Sequence, residues 1–490
     1  MHLDREHAAR RIDAAVAQLD LAPLLATYAG VGSRAQRPDL MLKMVLYEMS
    51  LGRLSPAQWH RDTRESLPVQ WLAFGIRPGR SRFYQFLERL APVVDELNRQ
   101  FLALGVDLHV TTARRASMDG TLLAANASRR HLLTETTLQS RTAQLTVAIE
   151  EDRYGVTRAV VQSCRPVYTH PAWMATTDRG RRRQRVHYQR ACAAMQQLQA
   201  RNQARPASKR KPRGEVRLSV ADPEAPLGLD KEQVYRPLYN AQVIQDLESP
   251  LILAYELFAQ LNDNGTVQTM LDRYQQLTGV LPEQMLADAG YATALEIAVF
   301  AGAGVALYAP FRENTWTAGK EKTHKQFPKE AFSWLPEERL YLCPADQRLT
   351  ACGTEHKRQS GGRQLEVTKY RCDPVHCLAC AQQGVCTRTP EKGRTVIRSE
   401  HDDLIDQLRA RMATVEAKCL YRLRQQTIEL RYADLKQHRH LRRLHGRGLR
   451  RARTQLGLLV LAHNGLIIAK ARQTARKQPK SDVSLEEIAA

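Results

Sequence analysis

The sequence predicts an α/β protein: a mixed sheet with flanking helices, preceded by an all-α N-terminal region and interrupted by a small Cys-rich insertion. Three observations predict it. Apolar residues in the first hundred positions recur at helical spacing. From about Thr111 the pattern changes to strands, then to alternating strand and helix. Six of the nine cysteines crowd between Cys343 and Cys386.

Pro38 is placed to open a helix, with Leu40, Met41, Met44, Val45, Leu46 and Met49 on its apolar face. Ser55-Pro56 repeats that start signal. One longer helix is expected from near Ser81, through Phe83, Phe86, Leu87, Leu90, Val94, Leu97 and Phe101. Short helices joined by tight turns fit a helix-turn-helix-like DNA-reading unit, and equally a plain bundle or dimerisation module.

Ala116 to Asp119 reads as a strand, with Gly120 permitting a turn after it. Thr142 to Glu150 alternates as a strand would, with Val156 to Ser163 as its hairpin partner across Asp152 to Gly155. Further on, Pro250 to Phe258 reads as a buried strand. A helix follows from Asn264 or Thr266 to Gly279, then strands at Gln284 to Ala287 and Val305 to Pro310. Antiparallel strands first and β-α-β later is the pattern of a ribonuclease-H-like mixed sheet.

The formal net charge is +22 over 490 residues, which points to a polyanionic partner, usually nucleic acid. The charge is clustered. Arg179 to Arg217 holds 13 Lys or Arg against Glu215 alone, and Arg431 to Arg453 holds nine against Asp434 alone. The middle of the first segment is Gln- and Ala-rich and suits a helix. Its end, Arg205 to Pro212, reads as a flexible basic linker, and the whole as an arm that tracks phosphates. Met1 to Arg11 is charged and lacks the apolar run of a secretion signal, and Leu456 to Ala469 is short and broken by His463, Asn464 and Gly465. No membrane partner is expected, and a cytoplasmic, reducing setting follows.

Asp119 and Asp288 each end an expected strand, and carboxylates so placed can converge on cations at a sheet edge. Two Mg²⁺ (or Mn²⁺) held there would serve phosphodiester attack. Tyr421 to Lys436 is helical in pattern, without Pro or Gly, and sets Glu429 and Lys436 seven residues apart on one face. A metal-binding carboxylate and a phosphate-binding lysine on one helix, running into a basic stretch, suit a DNA substrate.

An ordered set of short motifs resembles the bacterial insertion-sequence DDE transposases, in particular a group with an N-terminal helical domain and a Cys-rich insertion before the final glutamate. The pieces are Met118-Asp119-Gly120-Thr121, Ala221-Asp222-Pro223-Glu224-Ala225, Tyr239-Asn240-Ala241-Gln242, Ala287-Asp288-Ala289-Gly290-Tyr291, then Tyr421, Arg424, Glu429 and Lys436, then Arg447-Gly448-Leu449 and Ala462-His463-Asn464. They run in family order from about residue 35 to 470. The resemblance implies Asp119, Asp288 and Glu429 as catalytic Mg²⁺ ligands, and Tyr421, Arg424 and Lys436, with Arg439 and Arg447 from the basic stretch, as DNA-phosphate contacts. It also implies cleavage at transposon-end DNA, joining of 3′-hydroxyls to target DNA, and a homodimer or larger assembly on DNA. Where that family often shows Pro and then Phe-Gly after the glutamate, this chain has Leu430, Arg431, Tyr432 and Ala433. The alternatives are a non-catalytic DNA-binding protein derived from a transposase, and a nuclease of the same fold without strand transfer.

Among the cysteines, Cys377-x2-Cys380 with Cys343 and Cys386 would close a tetrahedral structural zinc site, with Cys372, Cys352 and His376 as rival ligands, or a reduced set of thiols without metal. The expected organisation is a helical DNA-binding or dimerisation domain at 1–108, the first part of the catalytic domain at 109–325 (containing the basic segment 179–217), the Cys-rich insertion at 326–395, the final catalytic helix region at 396–472 and a disordered tail at 473–490.

Overall fold

The structure, a computed structural model, describes residues 3–477 apart from 29, 31–34, 155–158, 163–164, 169, 312–326 and 360–361. The N-terminal region is helical, and the rest of the chain is mixed α/β, built on a mixed sheet with flanking helices.

Proline and glycine punctuate the elements as their backbone limits require. Pro38–Ser50 and Pro56–Glu65 both carry proline in the first helical turn, where its missing N–H costs nothing. The helix Val267–Thr278 ends on Gly279 in the left-handed region. The single helix expected from Ser81 is instead two, Arg80–Leu90 and Val94–Asp107. Pro92 lies between them and cannot donate to the preceding turn.

The principal sheet centres on the strand Arg115–Ala124. On one side it pairs antiparallel with Tyr235–Asp246, which pairs in turn with Ile252–Phe258 and, at its other end, with Leu227–Leu229. On the other side lie Gln284–Leu286 and Ala306–Tyr308, both parallel to it. Asp119 therefore stands in the interior of its strand, opposite Val243, and Gly120 continues that strand instead of turning it.

Between Arg115–Ala124 and Tyr235–Asp246 the chain builds a satellite with its own core. The stretch expected as a strand at Thr142 to Glu150 is part of the helix Glu135–Arg153, whose buried Leu138, Leu145, Ala148 and Ile149 lie at helical spacing. It packs on Asp178–Gln203, the helix formed by the Arg-rich segment, around Tyr188, Ala191 and Met195. Of the expected hairpin partner, Ala159–Gln162 is a strand, but it pairs with Arg165–Tyr168; residues 156–158 and Ser163 lie outside the described residues. Arg205 to Pro212 is exposed yet anchored: Asn202 Nδ2 donates to the Lys211 carbonyl at 2.7 Å and Lys211 N donates to Asn202 Oδ1 at 3.0 Å.

After Ala306–Tyr308 comes a five-stranded antiparallel meander, Ser333–Leu335 to Thr395–Ser399, with a small core around Tyr341, Leu349 and Tyr370. The final helix, Leu449–Lys477, runs unbroken through His463, Asn464 and Gly465. Among the described residues it is the helix long and apolar enough to cross a membrane, but 78% of that apolar window is buried inside the protein. It packs against Ala8–Val16, Pro38–Ser50, Val94–Asp107 and Ile252–Phe258, so helices and sheet share one hydrophobic core. His463 Nε2 contacts the Pro250 carbonyl at 2.8 Å, while Asn464 takes the N–H of Ile252 at 3.0 Å and donates to its carbonyl at 2.8 Å. Of the expected tail, 473–477 continue this helix and 478–490 lie outside the described residues.

Candidate active site

Three of the site's elements meet over the middle of Arg115–Ala124. Asp288 comes two residues after Leu286, which pairs with Ser117, and its charge acts on the Asp119 carboxyl. Asp288 Oδ1 accepts the N–H of Gly290 at 2.7 Å, which fixes the side chain over the start of the following turn. The third element is the helix that begins at Val415–Arg424 and continues through π-helical turns at Gln425–Glu429 and Asp434–His438. A π-turn aligns residues five apart. Arg424 and Glu429 are five apart, and Arg424 Nη1 reaches Glu429 Oε1 at 3.0 Å while Nη2 reaches Asp119 Oδ1 at 3.1 Å. One buried guanidinium thus bridges two of the three carboxylates.

Burial pushes the Asp119 carboxyl up to about 6, with Asp288 and Asp263 adding to the rise and Arg424 and the Gly120 N–H opposing it. Tyr421 stands beside Arg424, Asp288 and Glu429, and burial raises its phenol. Lys436 is hydrogen-bonded to Thr121 two residues past Asp119; burial, with Lys231 and Arg442 nearby, lowers its ammonium. Of the expected phosphate contacts, Tyr421, Arg424 and Lys436 therefore gather at the carboxylates. Arg439 does not: it is mostly buried, paired with Asp434 at 3.1 Å and donating to the Ser50 carbonyl at 3.4 Å. Arg447 is exposed on the turn before the last helix, where its charge, with Arg190 and Arg451, acts on His187 of the Arg-rich helix.

Sequence reasoning missed Asp263. It sits in the turn after Ile252–Phe258, and its Oδ1 accepts from Asn240 Nδ2 at 2.9 Å and Gln242 Nε2 at 2.6 Å. Nothing in its own neighbourhood marks it; the signal was the Asn240-Ala241-Gln242 piece, whose amides had no assigned role. The Ala221 to Ala225 and Arg447 to Leu449 pieces are structural. Buried Asp222 takes the Tyr239 hydroxyl at 2.7 Å and the Gly448 N–H at 3.2 Å, and Glu224 takes the Leu449 N–H at 2.6 Å, so both carboxylates secure the start of the last helix.

At the far end of Arg115–Ala124 opens a cleft of about 450 Å³ lined by Arg129, Arg130, Arg236 and Arg443. Five residues of extended strand separate Ala124 from Asp119, roughly 17 Å. Arg236 pairs with Asp230 at 2.8 Å, whereas neither Arg129 nor Arg130 pairs with a carboxylate among the described residues.

Residues 342–466 match the family model described as "Transposase DDE domain". The C-terminal half of the chain carries a transposase DDE domain. DDE transposases are enzymes, and they generally use divalent metals. The match covers about a quarter of the chain, including Arg424, Glu429 and Lys436; Asp119 and Asp288 lie upstream of it. A search of curated proteins returned no match.

Among the described residues, no group of three or more His, Cys, Asp or Glu side chains is arranged to hold a metal ion. Around Asp119 the donor chemistry nevertheless suits a hard cation: the charges of Asp288 and Asp263, from other elements, act on its carboxyl, and a guanidinium lies between it and Glu429. The closed zinc set of Cys343, Cys377, Cys380 and Cys386 is not formed. Buried Cys372 intrudes: its thiol is hydrogen-bonded to Cys377 and is pushed up to about 12 by burial, then by Cys377 and Cys343. The sulfurs of Cys343, Cys377 and Cys380 accept backbone N–H groups at 3.3 to 3.4 Å. Cys352 is exposed on Arg348–Arg358, and His376 is exposed on the short helix Pro374–Leu378.

Proposed function

We propose that this chain is a DNA transposase that cuts the ends of its element and joins the freed 3′-hydroxyls to target DNA, with Asp119, Asp288 and Glu429 as ligands of two Mg²⁺ or Mn²⁺ ions. The observation that carries the reading is the bridge from Asp119 through Arg424 to Glu429, next to Asp288, on a chain with a transposase DDE domain. The sheet order, a central strand with an antiparallel pair on one side and two parallel strands on the other, supports a ribonuclease-H-like core.

When bound at these carboxylates, divalent cations activate the attacking oxygen and stabilise the leaving one. The chain's own groups do the rest. Arg424 is positioned to exchange a carboxylate for a DNA phosphate, since its planar fork suits either. Lys436 adds a second positive charge on the same side, and the half-buried Tyr421 narrows access for water. The Arg-lined cleft and the exposed arginines of Asp178–Gln203 offer phosphate contacts beyond the cutting point. We assign the Cys-rich meander a structural role, and place the protein in the cytoplasm, on the nucleoid, as a homodimer or larger assembly on DNA.

The test is cleavage and joining of labelled duplexes carrying the DNA that flanks the gene, with Mg²⁺, by wild type and by Asp119→Asn, Asp288→Asn and Glu429→Gln. The reading expects wild type to cut and join, and each variant to bind DNA without doing either. Cutting without joining favours a nuclease; tight binding without cutting favours a non-catalytic binding protein.

A further inference from the structure

Gly120 and Gly290 frame a small space at the centre of the site. A Cβ on Gly120 would lie 2.2 Å from Gln242 Nε2 and 2.5 Å from Asp263 Oδ1. A Cβ on Gly290 would lie 2.9 Å from Asp288 Oδ1 and 3.7 Å from Asp263 Oδ2. The missing side chains let Asp263 close against both the Asp119 strand and the Asp288 turn.

The Asp263 carboxyl is held in that space by a chain of oriented groups. The Tyr291 hydroxyl donates to Gln242 Oε1, which turns Gln242 Nε2 toward Asp263. Gln242 Nε2 also donates to Asn240 Oδ1 at 3.0 Å, which leaves Asn240 Nδ2 aimed at the same carboxylate oxygen. Two amides thus fix Oδ1, while Oδ2 receives no donor among the described residues. The side chain is not a helix cap: Thr266 precedes Val267–Thr278 without any side-chain cap, and only the Asp263 backbone carbonyl takes the Thr266 N–H, at 3.2 Å. Nor is it an ion pair, since neither Asp263 nor Asp288 meets a Lys, Arg or His within salt-bridge distance among the described residues. Asp263 and Asp288 both act on the Asp119 carboxyl, and the arginine beside it is committed to Asp119 and Glu429. A carboxylate oriented through one oxygen and open at the other is the arrangement that metal ligands receive from their surroundings.

We propose that Asp263 is a fourth carboxylate of the cation site, sharing one divalent cation with Asp119 and Asp288 while Glu429 serves the opposite side. The proposal rests on the cation-dependent reading above.

The test is Mn²⁺ binding to the full chain without DNA, followed by the loss of the free-ion electron paramagnetic resonance signal, in wild type and Asp263→Asn. The asparagine keeps an oxygen for the two amides, so far-UV circular dichroism and the metal-free thermal midpoint should match wild type. The expected result is at least tenfold weaker Mn²⁺ binding, or one ion fewer per chain. If wild type binds Mn²⁺ and Asp263→Asn binds it equally well, Asp263 is not a ligand and this inference alone is overturned. If wild type binds none, the cation reading falls with it. Should Asp263→Asn fail to fold, Asp263→Ser, which keeps a hydroxyl acceptor, is measured against the same two outcomes.

Discussion

The hydroxyl of Tyr432 donates to the main-chain oxygen of Asp119 at 2.6 Å, and lies 3.2 Å from that of Ala241. A fully enclosed phenol thereby pins the helix that carries Glu429 to two adjacent strands of the sheet. Tyr432→Phe leaves the Asp119 carbonyl short of this donor while filling the same volume. A loss of about 1–3 kcal/mol is expected from urea midpoints. Cleavage should fall further than stability alone accounts for, because the Glu429 helix is no longer registered on Asp119. Equal midpoints and equal rates would remove this role.

Asp119 sets a pH limit on cation binding. Its folded pKa, about 6, lies above its ordinary 3.8, so its proton stabilises the fold fully below pH 3.8 and that contribution is lost as pH rises toward 6. Cation binding needs the opposite state. Mn²⁺ affinity should therefore fall as pH drops below about 6, up to tenfold per unit, and level off above it. A titration series from pH 5 to 8 checks this; a flat profile contradicts it.

Glu48 is fully buried in Pro38–Ser50; among the described residues neither carboxylate oxygen meets a hydrogen-bond donor, and the Arg53 guanidinium stands 3.7 Å away. Burial, with Asp62 adding to it, pushes its carboxyl up to about 8. The stability this group contributes is present when it is protonated, below about pH 4.5, and is lost as pH rises through 8. Glu48→Gln should raise stability at pH 8 by on the order of 4 kcal/mol and change little at pH 4.5. Chemical denaturation at the two pH values decides.

His463 is held neutral: burial, then Arg431 and Arg439, lower its pKa to about 3. The unfolded chain takes up a proton near pH 6.5 that the folded chain refuses until about 3. Stability should therefore fall between those values by about 1.4 kcal/mol for each pH unit. In His463→Gln, which can still donate to the Pro250 carbonyl, that part of the slope should vanish.

The arginine cleft predicts a salt signature. Replacing Arg129, Arg130 and Arg443 together by alanine should weaken duplex binding and lower the slope of log affinity against log salt by about 2 to 3. Replacing the exposed Arg348, Arg358 and Arg371 of the Cys-rich meander is the control, and equal slopes for both triple variants would count against a track through the cleft.

How much of this was legible depends on where the deciding contacts lie. Pro38, Pro56 and Gly279 announce their elements because each acts on its own backbone. Glu135–Arg153 was misread because Thr142, Thr146, Val147 and Ile149 imitate the composition of a strand, while the residues that face the satellite core keep helical spacing. Asp288 was readable from the strand that precedes it, whereas Glu429 needed the family resemblance, its pattern being that of any surface helix. Asp263 was invisible because amides more than twenty residues away orient it. The Arg424 bridge was hidden too, since it depends on a π-turn that helical periodicity does not reveal.

The last helix has a consequence for synthesis. Its buried stretch reaches Ala469, and it fills the space between the first helices and the strand Ile252–Phe258. A ribosome has thus made every helix and strand that precedes Leu449 before the protein can seal its interior. Until then the basic segments are already outside and free to meet nucleic acid, while the carboxylates have no rigid frame. A transcript cut short should yield fragments that cling to DNA without cutting it, competing with the intact protein for the same sites.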